Sequence, residues 1–230
     1  MNDALYEQAA QAYAEHSARS FANVKYERPA MLALLGDLAG KTVLDAGCAG
    51  GEYAAHLLEA GASVFALDRS PAMVEIVKKR FGSSIDARRH DLNEPLAWLR
   101  DGSVDVVVSS LTMHYIAAWD VPMREFCRVL KPSGKLLMST HHPAMTAPLV
   151  ENYFDTVLVK ETWQVGGRDH DVTFYHRPLQ SIVSAVTNAG LTVRRVIEPR
   201  ITQRAEGLSE EWFKRLSRQP WFLIIEAEKT

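Results

Sequence analysis

The sequence predicts an α/β fold in which a mostly parallel sheet carries helices on both faces. Three observations point to it. Residues 41–44, 63–67, 105–109 and 135–139 are short runs dominated by apolar and β-branched residues, as in strands buried on both sides. Stretches with helical spacing alternate with them. After the first run comes Asp45-Ala46-Gly47-Cys48-Ala49-Gly50-Gly51, a turn with enough glycine to bring backbone close to a ligand above the sheet.

Taken in order, residues 3–18 have helical composition, and Tyr6 and Tyr13 lie about two turns apart on one face. A second helical stretch covers 27–38, with Pro29 near its start where a missing amide matters least. Strand 41–44 brings Asp45 to its carboxyl end, and 52–59 follow as helix. Strand 63–67 ends at Asp68; Ser70 caps the helix over 72–81 and Pro71 opens it. A third strand, 85–89, ends near His90 and Asp91. Beyond 105–109 lies a loop through Thr112, His114 and Tyr115, then a helix over 121–130 capped by Asp120. The turn 131–134 leads into strand 135–139.

Regularity breaks there. Residues 141–148 read as a polar, proline-bearing loop, and the extended stretches 156–163 and 172–176 read as a hairpin turned through Gly166-Gly167. A helix over 179–189 stops at Gly190. Strands 191–197 and 222–227 flank a last helix at 210–216.

A length of 230 residues suits one α/β domain with a small insertion. The formal charge of -2 gives no basic field that would favour nucleic acid or an acidic membrane. The dense basic groups, Lys78-Lys79-Arg80 and Arg88-Arg89, sit in mixed segments and read as solvated edges. Cys48 and Cys127 form no CxxC pair and fit a reducing compartment. The first residues are acidic where a signal peptide is basic, and no apolar run approaches a membrane span. The expectation is a soluble cytoplasmic protein without a membrane partner.

Acidic residues end or follow three successive strands: Asp45, Asp68 and Asp91. Asp68 is placed to accept both hydroxyls of a ribose, since a carboxylate offers two oxygens side by side. Asp91, with the Leu92 amide beside it, suits a nucleobase edge, and Asp45 suits orienting the glycine turn or meeting an ammonium through water. A nucleoside fits this set. A nicotinamide dinucleotide would use the same turn and Asp68, but its fingerprint is GxGxxG, and the order here is Gly47, Ala49, Gly50, Gly51.

Asp45 directly before Ala46-Gly47 resembles the first motif of class I S-adenosylmethionine-dependent methyltransferases, in their small-molecule, type 11-like group. The fuller match comprises VLDAGCAGG at 43–51, ALDRSPAM at 66–73, HDLNEPL at 90–96, DVVVSSLTMHYI at 105–116 and RVLKPSGKLLMS at 128–139. Order and spacing together carry the resemblance, closely over 32–139 and loosely beyond. It implies a Rossmann-like seven-stranded sheet with the last strand, 222–227, inserted antiparallel. The corresponding division is an N-terminal helical lid (1–38), a cofactor-binding core (39–140), a substrate-side insertion carrying a small β-hairpin (141–177) and a C-terminal completion of the core (178–230). It also implies S-adenosylmethionine as cofactor and S-adenosylhomocysteine as product. Asp45 and Gly47 would line the methionine moiety, with Cys48, Ala49 and Gly51 completing the loop. Asp68 would hold the ribose, with Arg69 beside it, and Asp91 with Leu92 would contact adenine. Ser109, ending the fourth strand, joins the cofactor set. Ala49 stands where that family often has glycine, so its backbone must tolerate a β-carbon.

Methyl transfer needs an aligned nucleophile shielded from water, and implies no metal. His114 is the candidate general base, its alternative being a histidine packed against Trp119. His141 and His142 follow a strand end and either meet substrate or hydrogen-bond within their loop. Tyr6, Tyr13 and Tyr26 form an aromatic lid or ordinary core, with Arg28 suited to an acidic substrate group. Tyr175, beside His176 and Arg177, is a further substrate-side candidate, and Tyr153 and Trp163 suit cavity walls. The reading is transfer of a methyl group to O, N or C of a small molecule. The alternatives are a protein or RNA methyltransferase, a nicotinamide-dependent oxidoreductase and a non-catalytic nucleoside-binding module. The oligomeric state, a homodimer for instance, stays open.

Overall fold

The computed structural model describes residues 10–165, 167–202 and 208–230. In chain order its strands are β1 (Thr42–Ala46), β2 (Ser63–Asp68), β3 (Asp86–Arg89), β4 (Val104–Ser109), β5 (Leu130–His141), β6 (Val157–Val165), β7 (Arg168–His176), β8 (Leu191–Ile197) and β9 (Phe222–Lys229). The helices are α1 (Ala10–Arg19), α2 (Arg28–Leu35), α3 (Glu52–Glu59), α4 (Pro71–Phe81), α5 (Asp120–Val129), α6 (Pro143–Thr146), α7 (Leu179–Asn188) and α8 (Glu210–Arg218). Seven strands form one sheet in the order β3-β2-β1-β4-β5-β9-β8, and β6 pairs with β7 in a separate hairpin. The first five strands of the sheet run parallel, and β9 inserts antiparallel between β5 and β8. The strand order reverses between β1 and β4, so a crevice opens beyond their carboxyl ends.

Side-chain alternation along the strands makes two cores. Val43, Val106, Val108, Leu137 and Ile224 face α2, α3 and α4 through Met31, Leu57 and Val77. Leu44, Val107, Leu136 and Leu223 face α5 and α7 through Phe126, Met123 and Ile182. Val159, Val165, Val172 and Phe174 of the hairpin pack with Tyr13 and Tyr115, seating it over the carboxyl edge of the sheet.

The structure corrects several boundaries. The helix expected at 27–38 is preceded by a π-wound turn, Ala22–Glu27, and ends at Leu35, where Gly36 leaves helical geometry with φ +70°. Pro29 has no amide to bond back to Lys25, which removes one α-type bond at this junction. Ser70 does cap α4, accepting from the Met73 amide at 3.1 Å. Asp120 does not cap α5; it lies inside the first turn, after Trp119, where its charge suits the helix dipole. Residues 141–148 are not a loop. His141 ends β5, paired with Phe222 of β9, and α6 follows, capped by His142 through the Ala144 amide at 3.0 Å. Pairing with a strand some eighty residues later overrides the polar composition there. Tyr6, the first residues of the 3–18 helix and Gly166 lie outside the described residues.

Phe126 is fully buried between α5 and the sheet. Phe126→Ala should lower the unfolding free energy by about 3–5 kcal/mol, read as a lower urea midpoint at unchanged slope; a loss under about 1 kcal/mol would contradict this packing.

Candidate active site

The turn after β1 is built by close approach. Gly47 has φ +90°, and a Cβ there would lie 2.1 Å from Thr112 Oγ1, so only hydrogen fits against the loop that follows β4. The Gly47 and Cys48 amides both donate to the Leu67 carbonyl at 2.8 Å, binding the turn to β2. Ala49, expected to need angles that tolerate a β-carbon, adopts a left-handed φ of +44°. Its amide donates to Asp68 Oδ2 at 3.0 Å, and the Ser70 amide to Asp68 Oδ1 at 2.9 Å. Arg80 donates to the Gly50 carbonyl and pairs with Glu52, closing the turn from α4.

Asp45 lies beneath this turn, 1% exposed. The Ala54 amide in the first turn of α3 bonds its carboxyl, while Oδ2 has no partner among the described residues. Burial first, and the charge of Asp68 second, push its pKa up to about 7. A buried acid beside a second acid, under a turn that admits no Cβ, fits a ligand that carries positive charge and a ribose.

One cavity of about 650 Å³ runs from this turn to the hairpin, a volume in the range of ligand pockets. Gly47, Cys48, Ala49, Asp68, Arg69, Asp91 and Leu92 line one end. Tyr13, His114, His141 and Tyr175 line the other, with Trp163 of β6 and Phe222 of β9; Arg28 lines the cavity over the Tyr53 ring of α3, donating to the Ser17 carbonyl of α1. Asp45 and Gly51 lie behind the wall. Ser109 does not reach the cavity, because its hydroxyl donates to the Ala46 carbonyl at 3.0 Å and joins β4 to β1. Tyr26 is buried elsewhere, donating to the Pro199 carbonyl at 2.7 Å and accepting from the Trp221 amide at 3.2 Å. His142 is spent on capping α6 and on Glu198, 2.9 Å from its Nε2.

His114 does not pack on Trp119 as one sequence reading had it. It stacks on His141, with ring centroids 3.7 Å apart and planes 11° from parallel. Burial holds both imidazoles neutral, with the neighbouring His141 adding to the effect on His114. Trp119 instead donates to the Met113 carbonyl at 2.9 Å, and Arg177 lies over its ring while donating to the Ile116 and Ala117 carbonyls. Those bonds fix the short turn that carries His114.

Glu27 was not singled out from the sequence. It is 1% exposed and accepts from the hydroxyls of Tyr53 at 2.8 Å, Ser110 at 2.9 Å and Ser139 at 2.5 Å. Burial raises its pKa against the lowering effect of these hydroxyls. A signal was present: positions 27, 31 and 35 share one helical face, and Met31 and Leu35 are apolar. Arg28 beside it is also buried, and its Nε has no partner among the described residues.

A seven-stranded sheet of this order, with an acidic ribose-type site and a glycine turn at its switch point, defines a class I nucleoside-cofactor fold. A methyltransferase-domain family model, Methyltransf_11, matches residues 44–138. An uncharacterized protein of Haemophilus influenzae is 28% identical over 88% of this chain and 87% of its own. A ubiquinone biosynthesis O-methyltransferase of Xanthomonas euvesicatoria is 30% identical over 70% of this chain, which spans 66% of that enzyme's length. The crystal structure of an S-adenosylmethionine-dependent methyltransferase from Mesorhizobium loti superposes with a TM-score of 0.74 at 27% identity, covering 88% of this chain and 97% of that one. The fold is that of a class I S-adenosylmethionine-dependent methyltransferase of the Methyltransf_11-like type, and its cofactor is S-adenosylmethionine, with S-adenosylhomocysteine as product.

The Asp45 environment has a measurable consequence. Unfolded, this carboxyl titrates near 3.8; folded, near 7. The folded state therefore keeps a proton that the unfolded state releases between those values. Stability should fall as pH rises through that window, by up to about 1.4 kcal/mol per pH unit. Asp45→Asn removes the group and should gain most over the parent at pH 8 and least near pH 4 in urea unfolding of ligand-free protein. An advantage independent of pH would contradict the assignment.

Proposed function

We propose that this methyltransferase acts on a nucleophilic atom of a small molecule, oxygen before nitrogen or carbon. The observation that carries the reading is the single cavity joining the glycine turn and Asp68 to a second, aromatic end with two histidines. The Xanthomonas relative is named as an O-methyltransferase, which favours oxygen. In this reading Asp68 holds the ribose, Asp91 and Leu92 hold the adenine, and Gly47, Cys48 and Ala49 run along the methionine part. Arg69 borders the ribose side, Gly51 starts α3, and Asp45 balances positive charge from below. Tyr13 and Tyr175 bound the acceptor side, Arg28 sits between Tyr53 and α1, and Ser109, Tyr26 and His142 brace the walls through the bonds described above.

S-adenosylmethionine supplies an electrophilic methyl group on a positively charged sulfur. The chain's part is placement, exclusion of water and handling of one proton. The hairpin and α1 cover the acceptor end. His114, kept neutral by burial, is the base in this reading: the residue lines the cavity and its buried Nε2 is unpartnered among the described residues. No helix among the described residues is long and apolar enough to cross a membrane.

Calorimetry tests the cofactor end. S-adenosylmethionine should bind saturably without competition from NAD, and Asp68→Ala should weaken it by about 1.5–3 kcal/mol, the value of a charge-assisted contact. A folded protein that binds no S-adenosylmethionine, or loses none of its affinity on Asp68→Ala, would overturn these roles.

A further inference from the structure

The acceptor end has chemistry of its own. His114, in the turn after β4, and His141, ending β5, are 2% and 8% exposed, and both line the cavity. His114 Nε2 and His141 Nδ1 have no hydrogen-bond partner among the described residues. His114 Nδ1 stands 3.5 Å from Thr140 Oγ1. Two buried imidazole nitrogens left unpaired on one wall cost stability unless a ligand meets them.

The surroundings narrow the ligand. Phe174 stands nearly perpendicular to both rings, with centroids 6.4 Å from His114 and 4.6 Å from His141. Tyr115 packs 4.2 Å from His114, and Trp163 and Phe222 lie 6.4 and 6.2 Å from His141. Burial holds His141 to a pKa of about 3, and burial first and the neighbouring His141 second lower that of His114. The charged residues bordering the cavity come from other stretches. Glu27 and Arg28 sit at the start of α2, Glu52 in α3, and Asp68, Arg69 and Asp91 at the cofactor end. The wall around the two histidines is aromatic and uncharged.

We propose that the stacked His114–His141 pair recognises the methyl acceptor, and that this acceptor is an uncharged flat ring bearing hydroxyl groups, a phenol or hydroxylated heteroaromatic, in preference to a carboxylate. The proposal deepens the methyltransfer reading and rests on it. A neutral imidazole presents one donor and one acceptor according to its tautomer, and a hydroxyl, being both, satisfies either nitrogen. A flat ring suits the offset and edge-on contacts available from Tyr115, Trp163 and Phe222. A carboxylate would bring an uncompensated charge against this wall, and would enter only by carrying a proton onto an imidazole.

The test titrates protein saturated with S-adenosylhomocysteine against two matched pairs, catechol with benzoate and 1-naphthol with 1-naphthoate, by calorimetry at pH 7.5 in two buffers of different ionisation heat. The phenols should bind at least about tenfold tighter than their carboxylate partners, with heats that do not depend on buffer. His141→Phe and His114→Phe should each weaken the phenols by about tenfold while leaving S-adenosylhomocysteine affinity unchanged and the melting temperature unchanged or raised, and His141→Gln should restore part of the loss. The proposal is overturned if neither phenol binds or if the carboxylates bind equally well. It is overturned equally if folded variants with parental cofactor affinity keep their phenol affinity. Failure of the parent to bind S-adenosylhomocysteine would overturn the methyltransfer reading and the acceptor role together, and is seen separately in the first titration.

Discussion

Two carboxylates, Asp45 and Asp68, meet around one glycine turn, and the carboxyl edge of the sheet is arranged to keep them there. Asp68 is held at the mouth of the cavity by the Ala49 and Ser70 amides. Asp45 is sealed underneath with one oxygen unpaired. Burial and the charge of Asp68 keep the Asp45 proton on up to about pH 7, and the turn that holds the pair is fastened from several sides. Leu67 accepts both turn amides, Arg80 closes on Gly50, and Thr112 fills the space where a Cβ on Gly47 would lie. What the isolated protein tolerates as strain suits a cationic cofactor, which would neutralise the excess negative charge.

The same contact ties the two ends of the cavity together. Thr112, pressed against Gly47, also donates to the Ser110 carbonyl at 2.9 Å and precedes His114 by two residues. Glu27 then gathers Ser110, Ser139 and Tyr53, joining the loop after β4 to β5, α3 and the start of α2. A carboxylate bound by three hydroxyls is well satisfied for a buried acid, and it fixes the floor between the cofactor and acceptor ends. The positions of the two histidines are thereby set by the sheet rather than by the covering hairpin.

Much of this was legible because it is local. The strand and glycine turn at 41–51 and the cap at Ser70 are written in contiguous residues, whereas the left-handed backbone at Ala49 was not read from them. Asp68 could be placed because β2 ends where its apolar run ends, and Asp91 because it follows the next short strand of the alternation. The acceptor end was less legible. His141 belongs to β5 only because β9 pairs alongside it, and nothing near position 141 announces that strand. Ser109, Tyr26 and His142 have residue types that suit a site, but their polar atoms are engaged by Ala46, Pro199 and Glu198, distant in sequence. Glu27 carried a periodic signal that its charge obscured.

Amide hydrogen exchange with and without S-adenosylhomocysteine tests the central claim most directly, since it reads every backbone position at once. Slowed exchange should appear at residues 47–53, 68–70 and 91–93 and extend through 110–115, while β3, α7 and β8 stay unchanged. Protection confined to other segments, or spread evenly over the chain, would contradict a cofactor site organised by the turn after β1.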